Sequence, residues 1–151
     1  MTRATNEFPV VMTLSQTLTD LAKMAGVECP SGIPKELDYR FITGVTAVFQ
    51  FVKFDGLRDS ERVLVTLSNF HMKPANVHQL LALFIEHRAA IIRLAVRNGK
   101  IDFHAVAMDS IFEGEVPVLS IENGPPELNM EPTTSEWTTS HRFPVMRTRK
   151  L

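Results

Sequence analysis

The stretch IIRLAVRNGKIDFHAVAM, residues 91–108, carries the strongest structural signal in the sequence. Asn98-Gly99 at its centre is the dipeptide that two-residue type I′ turns prefer, and alternating apolar and polar runs flank it on both sides. A two-residue loop fixes the strand register, so Arg93 should lie opposite His104. The stretch therefore predicts a β-hairpin with one apolar and one polar face.

The polar face of this hairpin collects the basic side chains of the region. Its members are Arg93, Arg97, Lys100 and His104, with Asp102 beside the histidine. A histidine with a carboxylate can act as an acid–base pair, and an arginine can bind an oxyanion. No motif ties a nucleophile to this face, however, and a solvent-facing surface with cross-strand pairs is the simpler interpretation. The sequence thus predicts a binding face and not an enzyme.

Two helices are expected, both on one face of the sheet. Thr13 begins a capping box ahead of a helix over residues 14–25, and Gly26 is a typical C-terminal stop. A second helix is expected over residues 74–89, with its proline at the first helical position. Both segments have apolar residues at helical spacing, so each should pack against the sheet.

Three further segments predict strands. Residues 45–54 are apolar on both faces, which indicates a central strand whose phenylalanines belong to the core. Residues 62–70 alternate as a half-buried strand, and residues 116–121 contain Pro117, which places that strand at a sheet edge. The fold class expected is α+β, an antiparallel sheet in the order β-β-α-β-β-β with an N-terminal helix, in a single domain over residues 10–122.

The two ends of the chain are expected to lie outside this domain, residues 1–9 as an arm and residues 123–151 as an extended docking tail. The tail has no period and holds four of the nine prolines. Its candidate binding residues are Trp137, Phe143, Arg147, Arg149 and Lys150. Because the tail leaves from the expected edge strand, that edge could also receive a strand from a second copy in a swapped homodimer.

Charge is arranged in blocks although the net charge is only −1. Residues 73–100 hold five Lys or Arg against one acid, residues 101–136 hold eight acids and no Lys or Arg, and residues 137–151 hold four basic residues. Three interpretations remain open. The blocks are solvated faces, or the basic hairpin face and C-terminus contact nucleic acid phosphates, or the acidic block docks on a basic surface.

Several chemistries have no support in the sequence. The single cysteine, Cys29, excludes an intramolecular disulfide and lies in a turn without a neighbouring histidine. Glycine-rich phosphate loops, the G-x-S-x-G elbow and zinc-binding His or Cys spacings are missing, so we expect no cofactor and no metal. Without a signal peptide or a membrane span, a cytoplasmic, intracellular location is expected.

The sequence therefore predicts a non-enzymatic interaction protein: an adaptor, an inhibitor or an assembly subunit of a larger complex. It would act on a protein partner through its sheet face and its C-terminal tail, with a homodimer as a further option and no membrane partner. The alternative is a nucleic-acid-binding accessory protein that uses the basic hairpin face. Small, motif-poor α+β proteins with long tails that carry scattered apolar residues are more often binding or assembly subunits than enzymes.

Overall fold

The computed structural model describes residues 2–3, 7–11, 13–43, 47–56 and 58–147, which contain three α-helices, two 3₁₀ helices (Lys35–Leu37 and Met108–Ser110) and twelve strands. The helices are α1 (Leu18–Ala25), α2 (Ser60–Asn69) and α3 (Val77–Ala95). The strands are β1 (Thr2–Arg3), β2 (Phe8–Val10), β3 (Leu14–Gln16), β4 (Phe41–Thr43), β5 (Ala47–Lys53), β6 (Met72–Pro74), β7 (Val96–Arg97), β8 (Lys100–Ile101), β9 (Phe103–Val106), β10 (Glu115–Ile121), β11 (Glu127–Pro132) and β12 (His141–Arg147).

The main sheet has eight strands, with the path β1-β5-β12-β9-β10-β11 and with β2 beside β5 and β6 beside β12. Its pairings are antiparallel except for β9 with β12, which run parallel. Strands β3 and β4, and strands β7 and β8, form two separate two-stranded ladders. The α+β class is confirmed, whereas the purely antiparallel sheet and the order β-β-α-β-β-β are wrong.

Helix α1 is shorter than the expected helix over residues 14–25. Its N-cap is Thr17, not Thr13, and the Thr17 hydroxyl accepts a hydrogen bond from the amide of Asp20. The preceding residues pair as β3 instead. Gly26 ends the helix in the left-handed conformation with φ +67°, as its position predicts.

Helix α2 replaces the strand expected over residues 62–70. Asp59 caps it, since the Asp59 carboxylate accepts from the amide of Arg62 at 2.8 Å. Val63 and Leu67 are buried, whereas Val65 is 53% exposed. Residues four apart, such as Val63 and Leu67, share a face in both a helix and a strand. Val65 would share that buried face in a strand but not in a helix, so its exposure indicates a helix.

Helix α3 begins and ends later than expected. Asn76 and Gln79 form its capping box, and Pro74 lies in β6 instead. The helix runs past a non-helical residue, His87, to Ala95, so most of the expected first hairpin strand is helical. Ile91 and Ala95 of its last turns pack into the core, which favours the helix over the expected strand.

Of the expected hairpin, the structure contains a short part around Asn98-Gly99, formed by β7 and β8. Both turn residues have positive φ, +50° and +76°, as a type I′ turn requires. The expected pairings of Val96 with Ile101 and of Arg97 with Lys100 are confirmed. The expected pairing of Arg93 with His104 is wrong, because Arg93 lies on α3.

Strand β10 is internal to the sheet, contrary to the edge that Pro117 predicted. It pairs with β9 on one side and with β11 on the other. The Pro117 carbonyl accepts a hydrogen bond from the amide of Ala107, the residue after the end of β9. The nitrogen and carbonyl of one strand residue point to the same neighbouring strand, so the proline nitrogen also faces the position just beyond β9. The missing N–H of Pro117 therefore interrupts no hydrogen bond between β10 and β9. Since β10 has a neighbour on each side, it is not the free edge that was expected to receive a strand from a second copy.

The expected docking tail is part of the sheet. Strand β11 pairs with β10, and β12 lies between β5 on one side and β6 and β9 on the other. Trp137 lies in the connection between β11 and β12 and ties it to the start of α2. Its backbone pairs with Arg58, and its indole N–H donates to the hydroxyl of Ser60. Residues 127–147 therefore complete the fold and do not extend from it.

Each face of the sheet carries a core. Helices α1 and α3 pack on one face over Phe49, Phe51, Phe103, Ala105, Leu119 and Ile121. On the other face Val63 and Leu67 of α2, together with Trp137, cover Val52, Val106, Val118, Phe143 and Val145. None of the helices in the described residues has the length and apolar character needed to cross a membrane.

Candidate functional site

Four polar side chains form a row across the sheet, one from each of four neighbouring strands. Glu127 pairs with Ser120, Ser120 pairs with His104, and His104 pairs with His141. Directly paired residues point to the same face of a sheet. The row therefore lies on the face that α2 covers at its other end.

A pocket of about 600 Å³ opens over this row. Alternate residues of a strand share a face. Residues two and four positions beyond the row, Glu122 after Ser120 and Asn129 and Glu131 after Glu127, therefore extend the pocket. Its lining includes His104, Ser120, Glu122, Glu127, Asn129, Glu131 and His141. Three glutamates and no lysine or arginine line it among the described residues, so the pocket has a negative potential.

His104 is held from both ring nitrogens. Its Nδ1 lies 2.8 Å from the Ser120 hydroxyl, and its Nε2 lies 2.9 Å from a carboxylate oxygen of Asp102. A carboxylate oxygen of Glu122 lies 3.4 Å from the same Nε2. The ring orientation is therefore fixed, with Nε2 between two carboxylates.

His141 forms the far wall of the pocket. Its Nδ1 accepts a hydrogen bond from the amide of Thr138 at 3.0 Å, so the neutral ring carries its proton on Nε2. Its ring packs edge-on against Trp137, with centroids 5.1 Å apart. Burial, and secondly the adjacent His104, lower the pKa of His141 to about 4, so this ring is uncharged at neutral pH.

The hydrogen-bonded chain from Ser120 through His104 to Asp102 has the order of groups found in serine hydrolases. Such a reaction develops an oxyanion, which needs preorganised donors. Glu122, Glu127 and Glu131 line the same pocket and would repel that charge. The arrangement therefore suits the binding of cations better than acyl transfer.

One group of donors could hold a metal ion. Asp102, His104 and Glu122 each offer a ligand atom, and these atoms all lie within 4.8 Å of one another. The donor set combines one imidazole nitrogen with two carboxylates, which suits divalent transition metals.

The expected basic hairpin face does not form as a unit. Arg93 is exposed on α3, Lys100 is exposed on β8, and His104 lies in the acidic pocket on β9. The backbone of Arg97 pairs with Lys100 in the short hairpin. Of the proposed acid–base group, Asp102 and His104 are brought together, and Arg93 is not.

The tail residues are also redistributed. Trp137 and Phe143 are about 1% exposed or less and belong to the core, so they offer no surface to a partner. Arg147 is exposed at the end of β12, where its backbone pairs with Met72. Arg149 and Lys150 lie outside the described residues.

The sequence reasoning missed most of the pocket. It did not single out Ser120 or His141, and it treated Glu122, Glu127 and Glu131 only as members of the acidic block of residues 101–136. A signal for β11 was available in the run ELNME, residues 127–131, which alternates acidic or amide residues with apolar ones. The register that brings β9 beside β12 has no comparable local signal.

Comparison of this chain with protein-family models, with curated proteins and with solved structures finds no match, so its assignment to a function depends on the geometry of this pocket.

Proposed function

We propose that this protein is a non-catalytic interaction protein that binds a cationic segment of a protein partner in the acidic pocket. The observation that carries the proposal is the set of three glutamates, Glu122, Glu127 and Glu131, lining a concave surface without lysine or arginine among its described residues. This develops the third interpretation of the charge blocks, in which the acidic block meets a basic surface.

The pocket has the size of a specific site. Its volume of about 600 Å³ falls in the range of roughly 300–1,000 Å³ typical of ligand pockets. That space admits one or two long basic side chains, whose stems would lie along the sheet while their heads meet carboxylates. Arginine fits best, because its planar fork pairs with a carboxylate through two parallel hydrogen bonds.

The spacing of the carboxylates suggests the form of the partner. Glu127 and Glu131 lie on the same face of β11, four residues apart, which is about 13 Å along a strand. Two arginines four residues apart in an extended segment have the same separation. We therefore expect an extended basic segment with that spacing.

Electrostatics would dominate the affinity. Opposite unit charges 4 Å apart attract by about 4 kcal/mol at the effective dielectric constant of about 20 near a protein surface. Salt screens such pairs, with a Debye length of about 10 Å at 0.1 M. Binding should consequently weaken as salt is added.

Nucleic acid binding has less support. A phosphate at His104 would meet Asp102 and Glu122 within hydrogen-bonding range of the same ring. Phosphate contacts depend on clustered lysine and arginine, and Arg93 and His104 belong to different surfaces. No observation in the described residues favours this alternative.

A fluorescent peptide with arginine at every fourth position tests the proposal by anisotropy at 50 mM and 300 mM salt. The double variant Glu127→Gln/Glu131→Gln should bind at least tenfold more weakly than the wild type. A double variant of exposed acids elsewhere, Glu36→Gln/Glu61→Gln, changes the net charge equally and should bind as the wild type does. Equal losses in both variants, or no saturable wild-type binding at 50 mM salt, would contradict the proposal.

A further inference from the structure

The donor atoms at one end of the pocket have the spacing of ligands around a metal ion. The Nε2 atom of His104 lies 2.9 Å from Asp102 Oδ1 and 3.4 Å from Glu122 Oε1. Two donors each about 2.0–2.2 Å from one ion, at bond angles of about 90–110°, lie roughly 2.8–3.6 Å apart. Both distances fall in that range, and all three donor atoms lie within 4.8 Å of one another.

We propose that Asp102, His104 and Glu122 bind a divalent first-row transition-metal ion. This goes beyond the proposed function, since it requires no cationic partner. The group differs from a cluster of surface acids because an imidazole lies at its centre and both carboxylates converge on the same ring nitrogen. His104 lies in β9, and Asp102 and Glu122 lie one residue outside β9 and β10, two paired strands of the main sheet.

Ser120 supports the proposal from the opposite side of the ring. Metal-binding histidines generally donate their other N–H to an oxygen, which fixes the tautomer and the ring orientation. The Ser120 hydroxyl lies 2.8 Å from Nδ1, where it can accept this N–H. Ser120 would thus act as a positioning residue for the metal ligand His104.

Metal binding at this site requires the lone pair of His104 Nε2 to face the ion. In the metal-bound form Nε2 offers its lone pair to the ion, and the remaining ring proton lies on Nδ1, hydrogen-bonded to Ser120. A proton that bridges Nε2 and Asp102 in the free protein therefore leaves Nε2, and a neutral ring takes one up on Nδ1, so this change of tautomer needs no net release of a proton. No oxidation or bond cleavage accompanies this exchange.

The donor set selects among cations. One imidazole and two carboxylates suit Zn²⁺, Co²⁺ or Mn²⁺, and among these Zn²⁺ should bind most tightly. Mg²⁺ and Ca²⁺ prefer all-oxygen sites, so they should bind poorly. Three protein ligands leave further coordination positions, and the adjacent pocket could admit water to them.

Isothermal titration of the full chain with ZnCl₂ tests the metal site. We expect one saturable site per chain. Asp102→Asn, His104→Gln and Glu122→Gln should each weaken it at least tenfold, whereas Asp109→Asn, an exposed acid outside the group, should not. The Glu122 side chain is 63% exposed, so that variant keeps the fold even if Asp102 or His104 proves structural.

Three results would overturn the metal proposal: no saturable Zn²⁺ binding below about 100 µM, unchanged binding in Glu122→Gln, or equal affinity for Mg²⁺. The arginine-peptide assay is run in EDTA, so the two proposals fail independently. Peptide binding without Zn²⁺ binding would contradict the metal site alone, and the reverse would contradict the cationic partner alone.

Discussion

The imidazole rings of His104 and His141 lie side by side with centroids 5.3 Å apart, on strands β9 and β12. These strands pair in parallel, and the two residues are partners in that register. The C-terminal strand thus supplies one wall of the pocket as well as the centre of the main sheet. Fold and candidate site therefore depend on the same segment.

Removing the C-terminal segment should unfold the protein. A chain that ends after Asn123 lacks β11 and β12, and with them Trp137, Phe143 and Val145 of the second core. Loss of several buried aromatic and aliphatic side chains exceeds the usual stability of about 5–15 kcal/mol. Circular dichroism should show no cooperative melt. A chain that ends after Arg147 is the control and should melt cooperatively; a cooperative melt of the shorter chain would contradict the fold.

Helix α2 can be distinguished from the expected strand by its cap. Asp59→Ala should lower the free energy of unfolding by about 1 kcal/mol, because the Asp59 carboxylate satisfies the amide of Arg62. Asp59→Asn retains a capping side chain and should be nearly neutral. Urea denaturation measures both variants. If Asp59→Ala proved as stable as Asp59→Asn, the cap would contribute nothing.

His78 should make the protein less stable in acid. Burial lowers the pKa of this histidine below its usual 6.5, while its Nε2 donates to the carbonyl of Tyr39 and the nearby Asp38 carboxylate opposes the shift. The unfolded chain therefore binds a proton that the native ring does not bind, and stability falls as pH drops below 6.5. The fall is at most about 1.4 kcal/mol per pH unit.

Urea midpoints at pH 7.5 and 5.5 measure this effect by comparison with His78→Gln. That variant should be less stable at pH 7.5 but should lose less stability on acidification, since it lacks the ring whose pKa burial lowers. Asp38 titrates in a lower range, because hydrogen bonds from Thr19 lower the pKa of its carboxyl from 3.8. Identical pH dependence of the two proteins would show that His78 titrates normally.

Ser120 should not behave as a nucleophile. Its hydroxyl is hydrogen-bonded to His104, but the glutamates of the pocket oppose the negative charge of an acyl-transfer intermediate. Intact-mass spectrometry after exposure to a fluorophosphonate should show no adduct on the folded protein. Stoichiometric labelling that disappears in Ser120→Ala would instead support a hydrolase.

Local signals in the sequence identified several features correctly. The Asn98-Gly99 turn, the left-handed stop at Gly26 and the central strand around Phe49 and Phe51 each depend on nearby residues. Such features follow from backbone conformation and from apolar patterning along a short segment. The pairing of Asp102 with His104 also follows from their spacing of two residues.

Features set by distant contacts could not be predicted in this way. The alternation around residues 91–95 predicts a strand, but these residues are helical, with Ile91 and Ala95 buried in the core. The apolar residues between 137 and 145 do not follow the two-residue alternation of a strand, because Trp137 lies in the connection before β12 and not in the strand itself. The histidine pair depends on the arrival of β12 beside β9, which no short-range pattern specifies.

The central claim is that the acidic pocket is the binding surface, and nuclear magnetic resonance mapping locates that surface most directly. Titration of ¹⁵N-labelled full-length protein with the arginine peptide should shift the amides of Ser120, Glu127, Asn129 and Glu131. Largest shifts around Arg58, Arg62 and the end of α3, with the pocket resonances unmoved, would place the binding surface elsewhere and contradict the claim.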